Sequence, residues 1–93
     1  MRLISQNGGV DIPYELSALS IAGTSDKYTI YVRSKLFDER TVAFADYSSE
    51  VKALAAMYAV RENYAEMSDR LSKNLSVDNY VVFRFPQDSE VEA

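Results

Sequence analysis

Between Lys27 and Phe37 the chain alternates, with Tyr28, Ile30 and Val32 interleaved by Thr29, Tyr31 and Arg33. A period of two places the two sets on opposite faces of a strand, so this stretch is predicted to be a strand with one buried face. Thr41 to Ala45 resumes the pattern, with Val42 and Phe44 on one side. The polar Asp38-Glu39-Arg40 between them is too short for a parallel crossover, which predicts an antiparallel hairpin. From Glu50 onward the period changes. Leu54, Met57, Val60, Tyr64, Met67 and Leu71 recur at spacings of three and four, the apolar stripe of an amphipathic helix ending near Ser72. Ala53, Ala55, Ala56 and Ala59 add helix propensity and permit a close approach to a sheet. Asp46, Ser48 and Ser49 are candidate N-caps, and Glu50 places a negative charge where the helix dipole favours one.

The flanks are shorter. Arg2–Ser5 reads as a strand, Asn7-Gly8-Gly9 as a turn, and Val10 to Pro13 as a second extended piece confined to an edge by its proline. Leu16 to Ile21 is short and apolar, and Gly23-Thr24-Ser25-Asp26 is a loop. Tyr80 to Phe85 forms a last strand stopped by Pro86. Strands grouped before one long helix indicate an α+β fold: an antiparallel sheet of four to five short strands with the helix on one face. Residues 1–86 form the expected domain. Residues 87–93 hold Asp88, Glu90 and Glu92 and no base, which predicts a frayed acidic tail that folding does not need.

Composition narrows the chemistry. The 93 residues contain no His and no Cys, which excludes a zinc finger, a disulfide scaffold, a Cys–His nucleophile and a Ser–His–Asp triad. Three glycines, two of them adjacent, make no phosphate-binding loop. A net charge of −4 argues against direct binding to DNA or RNA, which needs clustered Lys and Arg. No apolar run approaches the ~20 residues of a membrane span. The start of the chain lacks the long apolar stretch of a signal peptide, so the expectation is a cytoplasmic protein.

The carboxylates supply no enzyme site. Asp38-Glu39 is a turn pair, while Glu62 and Glu66 lie four apart on one helix face, where Glu66–Arg70 and Asp69–Lys73 read as ordinary helix ion pairs. Asp88, Glu90 and Glu92 match no calcium loop, so no metal or other cofactor is assigned and no catalytic residue is named. Their other use is collective. Glu62, Glu66 and Asp69 with the three tail carboxylates form an acidic surface able to imitate a phosphate backbone and occupy a basic nucleic-acid groove on a partner protein. Among seven tyrosines, Tyr31 falls on the face of its strand opposite Tyr28, and Tyr58 lies beside the helix stripe. Both are candidate aromatic anchors, because tyrosine is rigid, amphipathic and enriched at interfaces.

Four stretches carry a resemblance: Met1 to Gly8 (MRLISQNG), Asp11 to Glu15 (DIPYE), Tyr47 to Met57 (YSSE, then KA and AM), and Phe83 to Asp88 (FRFPQD). Together they resemble a group of short proteins, uncharacterised in function, encoded in prophages and integrative elements of Gram-positive bacteria. That group tends to carry an acidic residue where this chain has Val51. The resemblance implies a bacterial host cytoplasm and a mobile-element setting, where small acidic proteins often block host factors, anti-CRISPR proteins among them. The expected function is therefore a non-enzymatic binding module that inhibits or modulates a host protein, for example a nucleic-acid-handling defence effector. The alternative is a self-associating assembly protein that dimerises through an edge strand near Pro13 or in Thr41–Ala45.

Overall fold

A computed structural model describes residues 1–38 and 40–92. The chain runs β1 (Arg2–Ile4), β2 (Asp11–Pro13), β3 (Ser17–Gly23), β4 (Tyr28–Ser34), β5 (Thr41–Tyr47), α1 (Glu50–Ser72) and β6 (Val82–Arg84). Single 3-10 turns sit at Tyr14–Leu16, Lys35–Phe37 and Asp88–Glu90. The class is α+β, but the described residues form six strands in two three-stranded sheets. One is the antiparallel meander β3-β4-β5, which contains the predicted hairpin. Within its turn, Glu39 lies outside the described residues.

The second sheet has the order β2-β1-β6, with β1 antiparallel to β2 and parallel to β6. The parallel pair departs from the all-antiparallel expectation. The 23 residues of α1 carry the chain back by about 34 Å, so β6 enters the sheet in the direction of β1. The turn joining β1 to β2 needs a left-handed residue, and Gly8 supplies it at φ +77°. Ser5, 2% exposed, fixes that turn by donating to Asn7 Oδ1 (2.8 Å) and accepting from the Val10 amide (3.0 Å).

A β-bulge joins the two sheets. Ile30 lies opposite Ala45 and Tyr31 opposite Ala43, so Phe44 is the extra residue in β5. The bulge shifts the phase of the strand, which is why Phe44 and Ala45 are both buried although they are adjacent. The carbonyl of Phe44 accepts the Gln6 amide at 2.7 Å. The Gln6 side chain then pairs with Asp46 as a strand residue would, accepting from its amide (3.0 Å) and donating to its carbonyl (3.1 Å).

Ser49 caps α1, its Oγ accepting from the Lys52 amide at 3.2 Å. Asn74, at φ +58°, ends it: the amides of Asn74 and Leu75 donate back to the carbonyls of Leu71 and Arg70. The buried face of α1 is Ala53, Ala56, Val60 and Met67, rotated from the expected stripe. Met57 and Tyr64 are half-buried, whereas Leu54 and Leu71 are 48% and 54% exposed. The reason is volume. Ile30, Val32, Phe44, Tyr47 and Phe85 already fill the layer beneath, so the alanine side of the helix is the one that fits. Ala56→Leu should therefore overpack the core and cost about 1–3 kcal/mol. Leu54→Ala should cost about 1 kcal/mol or less, since half of that side chain is already in water. Urea unfolding of the two variants checks the ranking, and a larger loss for Leu54→Ala would contradict this helix orientation.

Gln87, Asp88 and Val91 dock against the rest of the chain instead of standing clear of it. Asp88 Oδ1 accepts from the backbone amide (2.8 Å) and hydroxyl (3.0 Å) of Ser48 at the start of α1. Lys52 Nζ donates to the Asp88 carbonyl at 3.0 Å, Gln87 Nε2 donates to the Gln6 carbonyl at 2.8 Å, and Val91 packs against the core. The expected boundary at Pro86 thus has no counterpart in the packing. The molecule measures 46 × 34 × 18 Å. Its thin dimension is about that of one sheet layer and one helix.

Candidate protein-binding face

The side of α1 turned away from the sheets carries, in order, Val51, Leu54, Tyr58, Glu62 and Asp69, with Glu66 at its margin. All six are exposed. Spacings of 3, 4, 4 and 7 put them on one side of a helix. The face is apolar over its first two turns and acidic over its last two. Val51 and Tyr58 are 60% and 61% exposed, and with Leu54 they form a contiguous apolar strip on this face.

Four of the eight residues singled out in the sequence therefore share this face: Tyr58, Glu62, Glu66 and Asp69. The charge they present is smaller than three carboxylates suggest. Asp69 is paired with Lys73 at 3.0 Å and Glu66 with Arg70 at 3.9 Å. The Arg70 guanidinium also lies 5.4 Å from the centre of the Tyr80 ring. Each of these exposed pairs stabilises the helix by a few tenths of a kcal/mol and orients the acids along it.

The other four residues lie elsewhere. Tyr31 sits on the opposite side of the meander from α1, half-buried between Ser20 and Ala43. Asp88 is engaged at the N-terminus of α1, where the Ser48 amide, then the Ser48 hydroxyl and Lys52, hold its carboxyl below the usual range. Glu90 accepts from the Gln87 amide at 2.7 Å. Glu92 is exposed beyond that turn. The tail carboxylates thus sit at the end of α1 opposite its acidic half, and two of them are held within the chain. Val51 and Leu54 join this face although the apolar spacing places Leu54 in the buried stripe. The signal was present in their spacing with Tyr58.

Among the described residues, every buried side-chain nitrogen or oxygen has a hydrogen-bond partner, and no three His, Cys, Asp or Glu are placed to hold a metal. The strongest departure in acidity is Tyr47, whose hydroxyl burial pushes upward, helped by the charges of Asp88 and Glu90. That hydroxyl donates to the Pro86 carbonyl at 2.8 Å, which is a structural duty. Glu15 is held low by the N-terminal ammonium, 2.7 Å away. The concavity beside β3, about 380 Å³, is an open depression where Glu15 and Lys35 flank Leu16. Among the described residues, no helix is long and apolar enough to cross a membrane. Comparison with protein-family models, with curated proteins and with solved structures returns no match.

Proposed function

We propose that this chain is a non-enzymatic binding module of a mobile genetic element, acting in a bacterial host cytoplasm by laying the outward face of α1 on a host protein. The observation that carries the reading is Tyr58. It stands 61% exposed at the junction between the apolar Val51–Leu54 segment and the acidic Glu62–Asp69 segment. A rigid helix with an aromatic anchor at its centre and acids along one half suits a partner whose apolar patch borders a basic groove. Such a groove is where a nucleic-acid-handling protein holds its substrate, and occupying it is inhibition by charge mimicry.

The test is capture of a host protein by the parent chain, followed by kinetics with the purified partner. Tyr58→Ala should weaken binding about tenfold or more, the usual scale for a central aromatic anchor. Reversing Glu62, Glu66 and Asp69 to Lys should mainly slow association and remove its salt dependence. The reversal sets Lys beside Arg70 and Lys73, a loss of only a few tenths of a kcal/mol per pair, so the fold survives it. If neither variant changes the affinity of any captured partner, α1 is not the interface.

A further inference from the structure

We infer that β3 is a self-recognition edge, through which two copies of this chain pair antiparallel about a two-fold axis at Ser20 to form one six-stranded sheet. The inference is independent of host binding through α1, because it rests on the meander's outer strand. β3 is seven residues long and has a strand partner, β4, on one side only. β2 and β6 are only three residues each, and β5 already receives Gln6 at its bulge. A long edge is normally blunted by a charge, a proline or a bulge. Ser17-Ala18-Leu19-Ser20-Ile21-Ala22-Gly23 contains no charge and no proline, and it runs in unbroken register against β4.

Two further features select a second copy as the occupant. The first is a near-palindrome. About Ser20, Leu19 mirrors Ile21, Ala18 mirrors Ala22, and the small Ser17 mirrors Gly23. A two-fold axis there sets each residue from Ala18 to Ala22 opposite one of like size and polarity, which another protein's strand would match only by chance. The second is the direction of the backbone groups. The Thr24 amide donates to the Lys27 carbonyl at 2.8 Å and closes the hairpin as a hydrogen-bonded pair. Alternation then turns the amides and carbonyls of Ala22, Ser20 and Ala18 toward β4, and those of Gly23, Ile21 and Leu19 outward. Leu19 of one copy and Ile21 of the other are therefore both outward-facing, as a hydrogen-bonded pair requires, and Ser20 meets Ser20 in the non-hydrogen-bonded pair between them.

The pairing also covers apolar surface. Leu19 and Ile21 are half-buried on the helix side of the meander. Ile21 and Leu54 line one open groove of about 240 Å³ between β3 and the start of α1. In the paired form the Ile21 wall of each groove is set against Leu19 of the other copy.

The chain has no cysteine, so single substitutions read the register directly. In the non-hydrogen-bonded pair the two Cα atoms approach to about 4.5 Å, within disulfide reach. Ser20→Cys should therefore cross-link to itself under mild oxidation. Ala18→Cys and Ala22→Cys, each about 13 Å from its own copy, should not, but a mixture of the two should. Light scattering of the unmodified chain at rising concentration should approach twice the 10.5 kDa chain mass. Ser20→Lys opposes two like charges on the axis and should raise the dimer dissociation constant about fivefold or more. A mass fixed at 10.5 kDa up to millimolar concentration overturns the inference. So does a dimer in which Ser20→Cys cross-links no faster than Ala18→Cys or Ala22→Cys alone. Loss of host capture on reversing the α1 acids leaves these readouts unmoved, so the two readings fail separately.

Discussion

Phe85→Ala is expected to remove about 3–5 kcal/mol of folding stability, the range for truncating a fully buried aromatic ring. Phe85 is 1% exposed, in the residue just after β6. Its ring meets Phe44 edge-on at 6.1 Å and Phe83 at 5.6 Å, and its amide donates to the Ile4 carbonyl at 3.1 Å. One side chain thus ties the bulge of the meander to the parallel pair of the other sheet. A domain of this length holds about 5–14 kcal/mol in all, so the loss is a large fraction of the total. The midpoint of urea unfolding should fall sharply with little change in slope. Val82→Ala in β6, where the side chain is 49% exposed, is the control and should stay within about 0.5 kcal/mol of the parent. Equal effects would mean that the end of β6 is not docked as described.

Local periodicity was the most legible feature of the chain. The alternation about Ile30 and Val32 places both at full burial, and the helix spans the residues its pattern predicts. Three features depend on partners distant in sequence and leave no local trace. Ala53 and Ala56 are legible as residues that permit close approach, but that their side of the helix is buried in place of Leu54 depends on the bulk of Tyr47 and Phe85 in the same core. The bulge at Phe44 is invisible in the polar pattern because it satisfies a group from Gln6, 38 positions earlier. Asp88 reads as one of three repelling charges until the start of α1 is placed beside it. The candidate face divides in the same way. Helical arithmetic groups Tyr58 with Glu62, Glu66 and Asp69, but the exposure of Leu54 beside them is set by which helix side the sheet accepts.

A chain ending at Pro86 is expected to melt at least about 5 °C below the parent, contrary to what its acidic composition suggests. Deletion removes the Gln87–Gln6 hydrogen bond, of order 1 kcal/mol for a neutral pair, and the half-buried Val91. It also exposes the Ser48 amide and uncovers the N-terminus of α1, where a carboxylate is favoured by the helix dipole. The Asp88 contribution carries a pH signature. Its folded pKa is below the ordinary 3.8, because the Ser48 amide, then the Ser48 hydroxyl and Lys52, stabilise the charged form. As pH falls, the unfolded chain takes up this proton first. The associated stability is complete well above pH 3.8 and is lost as pH drops through the folded value. Asp88→Asn keeps the side-chain carbonyl oxygen and loses the charge. It should melt below the parent at pH 7, with a gap that narrows progressively as the pH is lowered from about 5 through 3.8 and below. Glu15 is held low by the N-terminal ammonium and titrates in the same direction, but it is present in both proteins and cancels in the comparison. A gap that stays constant with pH would assign the loss to altered hydrogen-bond geometry rather than charge. An unchanged melting temperature for the truncated chain would mean that the tail does not dock on α1.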